Sequence, residues 1–257
     1  MRRASEVDRQ VERLRHMLFV HTLADALGCP HTGYALNHRL DPGRMSIYDD
    51  VPYHRWEGRL LGAEIPAEER EHLISQYPDL QPVWNDPLWE VLKEGGSQAE
   101  WTERFDCTVA ADHPMRDFCN PSMRDWVGVP NAQRLKEMLL LLRNEVHGLF
   151  SQRLWLMKNL AAYVLVVSIF DPFRPIAVPL YRCICDLPLS KRSVRHLEQC
   201  LTIDPLRWGK WVTAAQREAE NWMRSGDGRT PALAQRWLWE ALPHILPALQ
   251  CRLGSPR

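Results

Sequence analysis

The run from Leu154 to Phe170, LWLMKNLAAYVLVVSIF, is the most apolar stretch of the chain and the feature that most restricts its fold. Lys158 and Asn159 interrupt it, leaving eleven residues from Leu160, far short of the ~20 that a membrane-crossing helix needs. Such a segment belongs in the middle of a protein core, and its neighbours must supply the apolar faces that cover it. Upstream, NAQRLKEMLLLLRNEVHGLF offers one such face. Behind an Asn131 cap, Leu135, Met138, Leu139, Leu142, Val146 and Leu149 recur at helical spacing. Downstream, two further helices are expected to open on Asp204-Pro205 and Thr230-Pro231, the first closing near Gly226.

The N-terminal part carries weaker versions of the same signal. A helix is expected over Glu6 to Leu27, from Val11, Leu14, Leu18, Leu23 and Leu27. Pro42, Gly43 and Pro52 break the pattern, and helix resumes at PAEEREHLISQY and at DPLWEVLKEG, where Asp86 can cap and Pro87 can begin the helix. The predicted fold is mainly α, with a multi-helix, bundle-like C-terminal half and a smaller helical N-terminal region. Residues 1–98 form an acidic helical region, 99–129 an irregular connector in which FDCTVAAD fits a short strand, and 130–257 a basic helical domain.

The chain has 32 basic and 32 acidic residues, but they are unevenly placed. Residues 1–128 hold 14 Lys and Arg against 22 Asp and Glu, a net of −8, and residues 129–257 hold 18 against 10, a net of +8. A basic half suits a polyanion, and opposite halves also suit each other. Seven irregularly spaced cysteines and an N-terminus without an apolar signal region point to a reducing, cytoplasmic setting.

Two basic features stand out. SKRSVRHLEQC places Lys191, Arg192 and Arg195 at the start of a helix capped by Ser190, where the helix dipole is positive and an anion is wanted. In the helix after Asp204, Trp208, Trp211, Val212, Ala215, Ala219, Trp222 and Met223 share one face, while Lys210, Arg217 and Arg224, seven apart, form a stripe on the other. These six cations are the expected nucleic-acid-binding residues, because Lys and Arg contacts to phosphate supply most non-specific affinity.

Other constellations are weaker. Cys183, Cys185, His196 and Cys200 make a C-x-C…H-x3-C set, but C-x-C is unusual for zinc, and no metal or other cofactor is assigned. TLADALGCPHTGYALNHR echoes a helix-turn-helix, with Thr32, Asn37 and His38 toward bases, although Asn37 stands where an apolar contact is wanted and an ordinary helix followed by a turn reads better. Trp237 and Trp239 cannot share one helix face, so one of them has a second contact to make. No Walker loop, G-x-G-x-x-G, G-x-S-x-G or H-E-x-x-H occurs, so no catalytic residue is assigned. The expectation is a non-catalytic nucleic-acid-binding protein with no membrane partner. The alternatives are an adaptor that binds another protein through aromatic patches, and a helical enzyme with no recognisable motif.

Overall fold

The computed structural model describes residues 5–40, 51–116, 126–170, 172–194 and 206–253, and among these every regular element is helical. The chain divides into two compact units, Met1–Lys93 and Glu94–Arg257. Among the described residues no helix is long and apolar enough to cross a membrane.

In the first unit, α1 (Glu6–Ala26) begins at Ser5, whose hydroxyl accepts the Asp8 N–H, with Glu6 and Asp8 in the first turn where the dipole favours acids. It ends in a Schellman motif. The Gly28 N–H donates to Asp25 O and the Cys29 N–H to Ala24 O, with Gly28 at φ +59°. A Cβ there would meet nothing within 4 Å, so glycine is needed for its conformation and not for space.

Helix α3 (Val51–Leu60) packs on α1 and on α2 (Gly33–Leu40). Phe19, Leu23, Leu36, Trp56, Leu60 and Ile65 form the centre of the core. Pro52, expected to mark a loop, sits instead in the first turn of α3, a position that tolerates proline. Three short helices complete the unit: α4 (Ala67–Gln76), α5 (Leu80–Trp84) and α6 (Leu88–Leu92).

In the second unit, α7 (Gln98–Thr108) starts at a capping box formed by Ser97 and Glu100. It runs through Phe105–Thr108, so the strand expected at FDCTVAAD is a helix end. The Thr and Val that favour a strand lie in its last turn and cap, where Val109 donates to Phe105 O.

Helix α8 (Ala132–Arg143) begins at Asn131, whose side chain accepts the Arg134 N–H at 3.0 Å, but it stops well short of the expected end at Phe150. Asn144 leaves the helix with an extended backbone, its Nδ2 donating to Leu140 O and its Oδ1 accepting from Val146 N–H and Arg153 Nη2. Helix α9 (Phe150–Ser168) then carries the apolar run, and it is buried on every side but the stripe of Trp155, Lys158, Asn159 and Ala162. It packs against α8, α10 (Ala177–Cys185), α11 (Lys191–Val194), α12 (Trp208–Arg224) and α13 (Pro231–Leu253), which makes it the central helix of this unit.

Candidate functional site

Helix α12 presents the basic stripe as its sequence requires. Trp208, Trp211, Val212, Ala215 and Ala219 are buried. Trp208 stacks on Tyr181 of α10 with ring centroids 3.5 Å apart and donates to Ala177 O at 3.0 Å, which fixes the roll of the helix. Lys210, Arg217 and Arg224 are therefore turned outward and exposed. The side chains of Lys210 and Arg217 have no hydrogen bond or ion pair among the described residues, whereas Arg224 donates to Asn221 Oδ1 at 2.8 Å. At a 1.5 Å rise per residue the two free cations lie ~10 Å apart along the axis. Glu220, flanking the stripe, is drawn aside by Arg174 at 3.3 Å.

The Ser190 start is differently occupied. Ser190 caps α11 through the Ser193 N–H at 3.2 Å. The Lys191 N–H donates 2.8 Å to Glu145 Oε1, while Arg192 Nε lies 3.2 Å from Glu145 Oε2 and its Nη2 3.2 Å from His147 Nε2. The anion that the helix start calls for is a carboxylate of this chain, supplied by the loop between α8 and α9. Lys191 and Arg192 are exposed, and Arg195 lies outside the described residues.

Arg153, 2% exposed, lies among these cations and donates to Asn144 O and Oδ1. Burial, with Arg192 adding to it, lowers its guanidinium to about 10, and Glu145 offsets part of the effect.

A second surface escaped the sequence reading. A groove of about 780 Å³ lies between α9 and α13, closed at one side by Val127–Val129. Trp155, Lys158, Asn159 and Ala162 enter it from α9, and Arg236, Trp239 and Glu240 from α13. Both sets follow the i, i+3, i+4 spacing of one helix stripe. That spacing was visible in the sequence, but Lys158 and Asn159 read only as interruptions of an apolar run.

Trp237 and Trp239 do face differently: Trp237 stacks on Trp222 at 5.4 Å, and Trp239 meets Tyr163 edge-on at 5.4 Å.

The other constellations place as follows. Cys183 is buried and its thiol is pushed up to about 12 by desolvation, which disfavours the thiolate a metal needs; His196 and Cys200 lie outside the described residues. Among the described residues no group of three or more His, Cys, Asp or Glu side chains is placed to hold a metal ion. Asn37 is 2% exposed and so turned from any base, and Thr32 caps α2 by accepting the Ala35 N–H. His31 bridges His21 at 2.9 Å and Asp25 at 2.7 Å, tying the turn after α1 back onto that helix.

Comparison with family models, curated proteins and solved structures finds no match for this chain.

Proposed function

We propose that this protein binds nucleic acid as a polyanion, without catalysis, through the exposed basic surface of its second unit. The observation that carries the reading is the outer face of α12, where Lys210 and Arg217 are exposed and unpaired among the described residues and Arg224 continues the same stripe. Unpaired cations held at fixed spacing by a rigid, well-packed helix release counterions on meeting a phosphate backbone and give up no internal ion pair to do so. Lys191, Arg192 and Arg195 serve as a secondary contact, since the first two are exposed and Glu145 competes there with any external phosphate. A cytoplasmic location fits the free thiols of Cys29, Cys107, Cys183 and Cys185.

The test is a salt titration of binding to labelled duplex and single-stranded oligonucleotides. Affinity is expected to fall steeply as salt rises, and replacing Lys210, Arg217 and Arg224 together with Gln should reduce the slope of log K against log salt by about two for a single strand and nearer three for a duplex. Absence of binding to any strand at low salt overturns the reading. A protein partner held by aromatic anchors would show little salt dependence, which is the mark of the adaptor alternative.

A further inference from the structure

The groove between α9 and α13 combines three properties that a purely electrostatic surface does not need. The first is aromatic surface without a partner: Trp155 is half-buried, yet it makes no ring contact and no side-chain hydrogen bond among the described residues. Trp239, on the other wall, has Tyr163 as its ring contact among the described residues, at 5.4 Å and nearly perpendicular.

The second property is rigidity. The Tyr163 hydroxyl accepts the Asn131 N–H at 3.2 Å, and the Gln235 amide donates to Pro130 O at 2.8 Å. These bonds anchor α9 and α13 to the segment that follows the groove-lining Val127–Val129, so the groove is formed before any ligand arrives.

The third property is charge. Lys158 and Arg236 are exposed and have no ion pair among the described residues, and Glu240, one turn beyond Arg236, does not pair with it. About 780 Å³ accommodates a nucleobase with its sugar and leaves the two cations at the rim.

We propose that this groove takes an unpaired base of single-stranded nucleic acid against Trp155 and Trp239, with Lys158 and Arg236 on the adjoining phosphates. The proposal rests on the polyanion reading above and names its substrate class. A duplex keeps its base faces stacked inside and offers a tryptophan-lined groove only sugar and phosphate. An unpaired strand offers the face that such walls stack on. Stacking of this kind is tolerant of base identity, so the groove selects strandedness over sequence.

The experiment uses the full chain and three probes of equal length: oligothymidylate, the same backbone with abasic sites at every position, and a duplex. Oligothymidylate is expected to bind roughly tenfold or more tightly than the abasic strand and to quench tryptophan fluorescence. Trp155→Leu should erase the difference between the two strands while keeping the salt slope, and Lys158→Glu, a surface change that leaves the core untouched, should weaken both strands alike.

Equal binding of the thymidylate and abasic strands by the unaltered protein overturns this proposal and leaves backbone binding standing. Failure of all three probes to bind at low salt overturns the polyanion reading itself. The strand comparison and the quenching need no variant, so they decide the matter even if Trp155→Leu fails to fold.

Discussion

Arg143 is 1% exposed, with its guanidinium 3.7 Å above the Trp101 ring and its Nη2 donating to Glu94 O. On the same helix Glu137 is buried and accepts from Trp126 Nε1 and Gln133 Nε2. The polar side of α8 was legible as polar from its period, but periodicity says nothing about whether a polar side is wet. Here it is covered, because hydrogen bonds and cation–π contact replace the water that burial removes. His16 is buried and His113 is partly so. Desolvation, foremost, pushes His16 and His113 below the ordinary imidazole range, outweighing Glu12 and Glu64 near the first and Glu137 near the second. A depressed folded value means that the unfolded chain takes up the proton first as pH falls. The folded state is therefore fully favoured above the unfolded value of ~6.5 and loses stability as pH drops from there through the folded value. His16 Nδ1 also accepts the Ile65 N–H at 3.4 Å, a bond that protonation at that nitrogen breaks. His16→Gln keeps an acceptor that does not titrate, so its urea midpoint should change less between pH 7.5 and 5.5 than that of the unaltered protein. An equal or larger change would remove His16 from the account.

Among the elements, the junction between α8 and α9 shows where sequence patterning stops being informative. Val146 and Leu149 continue the apolar period of α8 in register, so one long helix was the natural reading. Asn144 decides otherwise: its backbone is extended, its Oδ1 accepts the Val146 N–H, and its O and Oδ1 both accept from Arg153 Nη2. The start of α7 is the opposite case: Ser97 and Glu100 spell a capping box in the sequence itself, a stronger signal than the two β-formers at the far end of the helix. The loop that Asn144 releases delivers Glu145 to the Lys191 N–H and to Arg192. Glu145→Gln keeps an acceptor for the N–H and removes the charge. Its cost to stability should be small, about 1 kcal/mol or less for a partly exposed pair, read as a slight fall in melting temperature. Under the proposed function the same substitution should raise affinity for oligonucleotides at low salt, because Arg192 loses its competing carboxylate. Lowered affinity would show that Glu145 orders the phosphate-binding residues and does not compete with the phosphate.

For the whole molecule, charge and architecture divide the chain at different places. Cut at its midpoint the chain is −8 and +8; cut at the boundary of its compact units, Met1–Lys93 has 11 basic against 15 acidic residues, a net of −4, and Glu94–Arg257 has 21 against 17, a net of +4. The acidic α7 belongs to the same unit as α12, so that unit is not uniformly basic. Core ownership is clearer. The first unit's cluster draws all its buried members from Phe19 to Leu80, and the second unit is built around α9 with its own buried set. Leu142, fully buried on α8, belongs to the second. Leu142→Asp places a carboxylate where nothing ionic awaits it, at a cost of several kcal/mol, against a total stability of about 5–15 kcal/mol for a domain of ordinary size. The expected result is loss of the second unit's native state with the first intact: a large drop in helical circular dichroism, hydrogen exchange opened across α8 and α9, and amide protection retained in the middle of α1. Protection lost from α1 as well would mean that the two cores unfold as one cooperative system. Unchanged protection in α9 would mean that Leu142 is not at the centre of the second.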